Sequence, residues 1–293
     1  AGALGLNLVD TQSIASIADG STVTLYGDVT ISADNQTETT AEALPVTSTA
    51  GGKVGIGSSA AINIIGNRAI AKIGGNVALT NADNLTVSAT AAHDIITTAE
   101  AGAEGGVSIV PVLALTLVTN TASATIGSNV NTLTVNNSVE VIAEQAATET
   151  TDASATAVGD KAAIGAALSL ALVTDKVVVS TGGSIAAIAG DVTFSAAGTS
   201  TGSLTVTAGA AGAEAADEND ESTDGEGTVD DRVSGQFDFA KSTQADSKVG
   251  DADQQAATSE TSDQDHSAGT SEGKLSVAAA VGVNVVTSTV SAA

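Results

Sequence analysis

The chain has 293 residues, no cysteine and a net charge of −25, with nine lysine and arginine residues against 34 acidic ones. A protein that binds nucleic acid needs a cationic face that displaces the counterions of the phosphates, so this charge excludes nucleic acid as a partner and disfavours anionic membranes. The absence of cysteine excludes a disulfide framework. No apolar run reaches the roughly 20 residues that span a bilayer.

The apolar residues are almost all aliphatic, because the only aromatic side chains are Tyr26, Phe194, Phe237 and Phe239. A globular core of this length would normally contain many more large rings. Branched aliphatic residues and threonine favour strands. The composition therefore predicts a thin β-structured interior of Val, Ile, Leu and Ala, with Thr, Ser, Asn and Ala on the solvent side.

One pattern recurs five times: two aliphatic residues spaced by one position, a third aliphatic residue, a turn-type or polar residue, and a polar residue. The copies are residues 6–20, 62–76, 115–129, 170–184 and 283–293. The third aliphatic residue marks the register at Val9, Ile65, Val118, Val173 and Val286, with separations of 56, 53, 55 and 113 residues. We interpret the last gap as two periods with an insertion. A fixed period in this range predicts a repeat architecture.

A second landmark has the same period. Strand-like boxes occupy residues 29–33, 85–89, 139–143 and 192–196, at spacings of 56, 54 and 53 residues. The two landmarks together predict a structural unit of about 54 residues. Strands of ordinary length cannot fill so long a unit as one coil, so we expect two coils of about 27 residues or three of about 18.

Within each unit, aliphatic residues alternate with small or polar ones, as in residues 4–8 and 113–117. This period of two predicts strands with one set of side chains facing inward and the other outward. Residues 162–173 are alanine-rich and could form a helix, but the aligned segments of the other units are strands, so we predict a strand there. Glycine-containing pairs at 74–76, 127–129 and 182–184 predict corners.

We therefore predict an all-β protein, a parallel β-helix (β-solenoid) over residues 1–212 that resumes at 273–293. Coils stacked about 4.8 Å apart would give a rod on the order of 40 to 70 Å long. The alternative is an array of independent β-sandwich domains. A domain of about 54 residues without rings, disulfides or metal would be marginally stable.

Residues 213–272 interrupt the pattern with 17 acidic residues and three basic ones. Low hydrophobicity combined with high charge predicts a flexible or loosely held insertion. Insertions in a solenoid usually project from one face, which is often the binding face.

One stretch of this insertion has the spacing of a calcium loop. Oxygen-bearing side chains alternate, a glycine follows, and a carboxylate closes the loop at the twelfth position: Asp220, Ser222, Asp224 and Asp231. The pattern departs from the usual loop because position 12 is Asp rather than Glu and position 8 is Gly227. The alternative is a solvated acidic loop with no specific site.

No arrangement of residues predicts catalysis. The histidines are His93 and His266, and His93 adjoins Asp94, but neighbouring residues of a strand face opposite sides. A triad or a zinc site needs side chains that converge. We predict that the chain is not an enzyme and binds no cofactor other than the calcium considered above.

The period, the V-T-x-S-A boxes and the Ala/Gly/Thr/Val composition resemble the repeat regions of giant bacterial surface adhesins. These are filamentous-haemagglutinin-like and autotransporter-like proteins with parallel β-helical stalks. The resemblance covers everything except the insertion and carries over no functional residues. It implies an excerpt of a large extracellular or cell-surface protein that acts as a stiff stalk or filament in attachment. Its partners would be a protein or glycan on another cell surface, or copies of itself in filaments.

Two other functions stay open. The acidic insertion could make the chain a binding module for a cationic or calcium-bridged partner. A carbohydrate-active β-helix enzyme is the other alternative, although the chain has almost no aromatic or cationic side chains of the kind that line sugar clefts.

Overall fold

The structure is a computed structural model that describes residues 1–45, 49–50, 52–212, 257–270 and 275–293. These residues form strands and no helix, so the all-β prediction is confirmed. The strands are β1 (Gly2–Ile17), β2 (Thr22–Ala43), β3 (Thr49–Ala50), β4 (Val54–Ile56), β5 (Ser58–Ile73), β6 (Ala78–Ile126), β7 (Leu133–Val135), β8 (Val139–Thr181), β9 (Ile185–Ala187), β10 (Val192–Ala211), β11 (Ala257–Thr270) and β12 (Ser276–Ala292). With no helix in the described part of the chain, none of it has a helix that could cross a bilayer.

Every strand pairing among the described residues is parallel, which is compatible with the predicted β-helix. Ten strands belong to one sheet, and β7 and β9 form a small second sheet. The landmark residues pair in register: Val9 with Ile65, and Ile65 with Val118. The second landmark does the same, since Leu85 pairs with Val139.

The prediction of two or three coils per period is wrong. Pairing joins residues one whole period apart, so one period advances the sheet by one strand. The reason is strand length: β1 has 16 residues and β2 has 22, so two strands and their corners consume the period. Five strands stacked about 4.8 Å apart rise only about 19 Å, well short of the predicted rod.

The interpretation of the 113-residue gap as two periods is also wrong. Val173 pairs directly with Val286, so the gap corresponds to one step of the sheet and not to two. Between them, β11 pairs with β10, which places a strand at 257–270 inside the segment for which the composition predicts a flexible insertion. The remainder of that segment, 213–256 and 271–272, lies outside the described residues.

The strands form two walls that face each other. The first wall consists of β1, β5, the later parts of β6 and β8, and β12. The second wall consists of β2, the earlier parts of β6 and β8, β10 and β11. Hydrogen bonds join the walls, for example Thr116 Oγ1 to Thr97 Oγ1 at 2.7 Å and Ser169 Oγ to the Thr151 carbonyl oxygen at 3.3 Å. β6 passes between the walls near Gly105, where the register shifts.

The walls approach so closely that parts of the interior admit only the smallest side chains. A Cβ added to Gly5 would overlap the Glu42 carbonyl oxygen, and one added to Gly165 would overlap the Gly209 carbonyl oxygen. Alanine accordingly accounts for 16 of the 20 buried residues in the core cluster at this end of the walls. The predicted thin interior is therefore present. The residues that fill its narrowest part are alanine and glycine more than leucine.

Two local predictions are confirmed. Residues 162–173 belong to β8 and are a strand, not a helix. The glycine-containing segments at 74–76, 127–129 and 182–184 lie between strands, where the chain passes from the first wall to the second.

Candidate functional site: an outer aliphatic face and a buried polar ladder

The predicted calcium loop of Asp220, Ser222, Asp224 and Asp231 lies outside the described residues, so it stays a prediction. Within the described residues, no group of three or more His, Cys, Asp or Glu side chains is placed to share a metal ion.

His93 lies on β6 with its ring buried in the interior, while Asp94 is exposed on the opposite side of the strand. His93 Nδ1 is 2.8 Å from Thr37 Oγ1, and its Nε2 has no hydrogen-bond partner. Burial lowers the pKa of His93 from 6.5 to about 4, so the ring is neutral at physiological pH. As expected from strand geometry, His93 and Asp94 do not converge.

A ladder of polar side chains, the polar ladder, runs through the interior of the first wall. It consists of Thr11, Asn67, Asn120 and Asp175, one from each of four successive strands. Thr11 Oγ1 donates to Asn67 Oδ1 at 2.7 Å, and Asn67 Nδ2 donates to Asn120 Oδ1 at 3.0 Å. Asn120 Nδ2 donates to Asp175 Oδ1 at 2.8 Å. A shift of one residue would turn these amides to the other face, so the ladder fixes the register of the strands.

The polar ladder ends at a buried pair of carboxyl groups. Gln145 Nε2, from the second wall, donates to Asp175 Oδ1 at 2.6 Å, while Asp175 Oδ2 has no partner. Glu149 is only 1% exposed, and neither of its carboxyl oxygens has a hydrogen-bond partner. Both groups lie in the interior, where an ionised carboxylate is strongly disfavoured.

Burial is the main cause of the altered acidity of both groups. It raises the pKa of Glu149 to about 8, with a further rise from the charge of Asp175, an opposing effect of the Ser200 hydroxyl and a small rise from Asp94. Burial also raises the pKa of Asp175, against the stabilising effect of Ser200 and of its two amide donors. Glu149 is therefore protonated at neutral pH, and the interior holds a proton that the unfolded chain would release.

The outer side of the first wall is aliphatic, in contrast to the polar ladder on its inner side. Three columns of side chains point outward, each with one residue from each of five strands, and together we call them the outer aliphatic face. The columns are Leu4, Ala60, Leu113, Leu168 and Val281; Leu6, Ile62, Leu115, Leu170 and Val283; and Leu8, Ile64, Leu117, Leu172 and Val285. All fifteen residues are aliphatic and none is charged.

The exposure of these residues fixes their direction. Leu4 and Leu8, on the first strand, are 73% and 75% exposed, and Leu168 in the fourth strand is still 43% exposed. The residues between them along the strands, such as Asn63 and Thr116, are fully buried. Leucine therefore faces outward and asparagine inward along this wall, which corrects the predicted placement of leucine in the core and asparagine on the solvent side.

The reason for this reversal lies in the interior. The inward positions between the first two leucine columns hold Gly5, Ala61 and Ala114, and at Gly5 the opposite wall is too close for a larger side chain. The sequence contains the signal, since Leu8 and Val9 are adjacent and cannot face the same side of a strand. Val9 packs against the buried aliphatic cluster that includes Ile65, so Leu8 must face out.

Comparisons of the chain with protein-family models, with curated proteins and with solved structures gave no match. The resemblance to adhesin repeat regions therefore rests on the sequence pattern alone.

Proposed function

We propose that this chain is a structural and adhesive segment of a large bacterial cell-surface or secreted protein. In this proposal it folds as a parallel β-solenoid whose coil is one period of about 54 residues, and it acts in cell–cell or cell–surface attachment. No catalytic group and no cofactor takes part.

The observation that carries the proposal is the in-register stacking of equivalent residues over five strands of the first wall. Stacking of this kind makes each layer a template for the next, so the assembly is stiff and is extended by repetition. The polar ladder supports the proposal because it holds neighbouring layers in register from within.

The geometry favours a segment with wide lateral surfaces over one that only holds other parts away from the cell. A coil of about 54 residues rises only about 4.8 Å, whereas an extended chain gains about 3.3 Å per residue. A segment built only to hold parts away from a cell would use far fewer residues per ångström. The extra residues form long strands, and long strands provide wide lateral surfaces on which attachment can take place.

Electron microscopy of the purified chain, combined with diffraction from oriented samples, tests the proposal. We expect a stiff body with a repeat of about 4.8 Å along its axis, and beads coated with the chain should adhere to cells or to one another. Separate compact domains joined by linkers would refute the solenoid. Turnover of acidic polysaccharides would instead support the carbohydrate-active alternative.

A deletion of residues 213–256 distinguishes the stalk from the binding-module alternative. It removes the part of the acidic segment that precedes β11. If the body keeps its repeat and its adhesion, the structural proposal stands. If adhesion disappears while the body stays intact, the acidic segment is the binding element.

A further inference from the structure

The outer aliphatic face contrasts with the strong acidity of the chain. Forty-three of the 293 residues are charged, yet the fifteen residues of the face include none. Soluble proteins rarely leave an uncharged apolar patch of several hundred square ångströms open to water unless a partner covers it. The face therefore requires an occupant.

The uncharged area extends beyond the three columns. A further outward column holds Ile56, Ile109, Ile164 and Val277, and the column between it and the face holds the small residues Ser58, Pro111, Ala166 and Ala279. From the Ile56 column to the Leu8 column the sheet spans about 26 Å along the strands, and five strands span about 19 Å across them. The flat area is thus about 500 Å² on one copy. Two such surfaces together reach the roughly 1,000 Å² that a specific interface needs.

We propose that this face is an interface with a second copy of the chain, in which the two outer aliphatic faces pack against each other. The inference rests on the proposed structural role, to which it adds the partner. Apolar sheet faces pack about 10 Å apart with their side chains interleaved, which two flat walls of leucine, isoleucine and valine allow.

The shape of the outer aliphatic face and the groove beside it is complementary to that of a second copy. The column of small residues forms the floor of a groove of about 570 Å³, whose walls include Leu113, Leu168 and Val281. Beside the groove, the leucine columns form a ridge. When two copies meet about a two-fold axis, the ridge of each faces the groove of the other, as a symmetric interface between identical subunits requires.

Charge selects a second copy over a lipid surface. The chain carries a net charge of −25, so an anionic bilayer would repel it. The face also has no tryptophan or tyrosine, the side chains that usually anchor proteins at the membrane–water boundary. Two copies repel each other as well, but this uncharged face lets them meet without bringing like charges into contact, so we expect association there.

The test is the oligomeric state of the whole chain, measured by sedimentation equilibrium over a range of concentrations. The wild-type chain should form dimers. The double substitution Leu115→Glu with Leu170→Glu, in the central column, should raise the dissociation constant more than about 100-fold, because unpaired charges would be buried in the interface. The matched control is Ala92→Glu with Ala146→Glu, a pair in neighbouring strands that points outward on the second wall. It adds the same charge and should leave the dimer unchanged.

A milder variant keeps the test decisive if the glutamates disturb folding. Leu115→Thr with Leu170→Thr introduces β-branched, uncharged side chains that suit a strand, and it should weaken the dimer while circular dichroism stays unchanged. The substitution Leu113→Cys gives an independent readout, because the chain has no cysteine of its own and the Leu113 column, between groove and ridge, lies opposite itself across the two-fold axis. It should cross-link two copies, whereas a cysteine at Ala92 should not.

Three results would overturn the inference. The wild-type chain could stay monomeric at all concentrations, dimers could form equally well in the Leu115 variants, or a monomer could bind vesicles of phosphatidylcholine and phosphatidylglycerol through this face. In each case, diffraction from the same samples shows whether the dimer interface alone fails or the proposed solenoid function fails with it. A persisting repeat of about 4.8 Å refutes the interface alone, and its loss refutes the proposed function as well.

Discussion

The buried carboxyl group of Glu149 makes a prediction about stability and pH. Its pKa is about 8 in the folded chain against an ordinary value of 4.5, chiefly because of burial and secondly because of the nearby charge of Asp175. Between these two pH values the folded chain holds a proton that the unfolded chain has released. A raised folded-state pKa means that the stabilising contribution is complete below 4.5 and is lost as pH rises toward 8.

His93 acts in the opposite direction over a lower range. Its folded pKa of about 4 lies below the ordinary 6.5, so its contribution is complete above 6.5 and is lost as pH falls toward 4. Each group changes the free energy of unfolding by about 1.4 kcal/mol per pH unit within its range. Between about pH 4.5 and 6.5 the contributions of Glu149 and His93 oppose each other. From 6.5 to 8 Glu149 acts without opposition from His93, and its titration should cost the wild-type chain about 2 kcal/mol.

Substitution Glu149→Gln isolates this effect. The amide is close to the carboxylic acid in shape and carries no proton to lose, so the variant should keep its stability between pH 6.5 and 8 or lose much less. Urea unfolding followed by circular dichroism at half-unit pH steps measures the difference. Glu144→Gln is the matched control, since Glu144 is exposed on the same strand. A wild-type stability that is constant or rises from pH 6.5 to 8 would contradict the reasoning, as would an equal fall in Glu149→Gln.

Three further predictions concern the interior and the acidic segment. Asn120→Ala removes one hydrogen bond from each neighbour in the polar ladder, Asn67 and Asp175, and should destabilise the chain by about 2 to 4 kcal/mol in urea unfolding, whereas Thr121→Ala, outside the ladder, should change stability by less than about 0.5 kcal/mol. Gly165→Ala should cost at least about 2 kcal/mol because its Cβ meets backbone of the opposite wall. Gly66→Ala meets only the movable Asp10 side chain and should be nearly neutral by the same assay. Calorimetric titration with Ca²⁺ distinguishes the calcium loop from a solvated acidic loop. A calcium loop should give saturable binding that Asp224→Ala abolishes. A solvated acidic loop should give only weak binding that does not saturate.

The sequence predicts the class of fold and the register well, because both follow from periodicity. Equivalent aliphatic residues such as Val9 and Ile65 recur at the spacing at which the strands pair, and alternation identifies the strands. The number of coils per period could not be obtained this way. It depends on strand length, and β2 with 22 residues is far longer than ordinary strands of about five to six residues.

The direction of the side chains was harder to obtain from the pattern. Alternation defines two sets but does not say which set faces inward, and general hydrophobicity favours burying the leucines. The decisive constraint is the distance between the walls at positions such as Gly5 and Gly165, which is a tertiary property. For the same reason the candidate site was not found from the sequence. The residues of the outer aliphatic face were recognised as a repeat landmark, and the surface they form became visible only once the strands were placed.

In the first wall, the inward residues stabilise the fold, and the outward leucines are available for association with a partner. A single aliphatic core would use the same residues for stability alone. The inward valines and isoleucines at the register landmark pack between the walls, and the polar ladder fixes the register beside them. Neither contribution requires the leucines, which point away from the interior and are therefore free to cover another surface. Substitutions on the outer aliphatic face should consequently change association much more than the free energy of unfolding of the isolated chain. Substitutions in the ladder, such as Asn67→Ala, should do the opposite, and a ladder variant that dissociates the dimer without lowering stability would show that the two tasks are not separate.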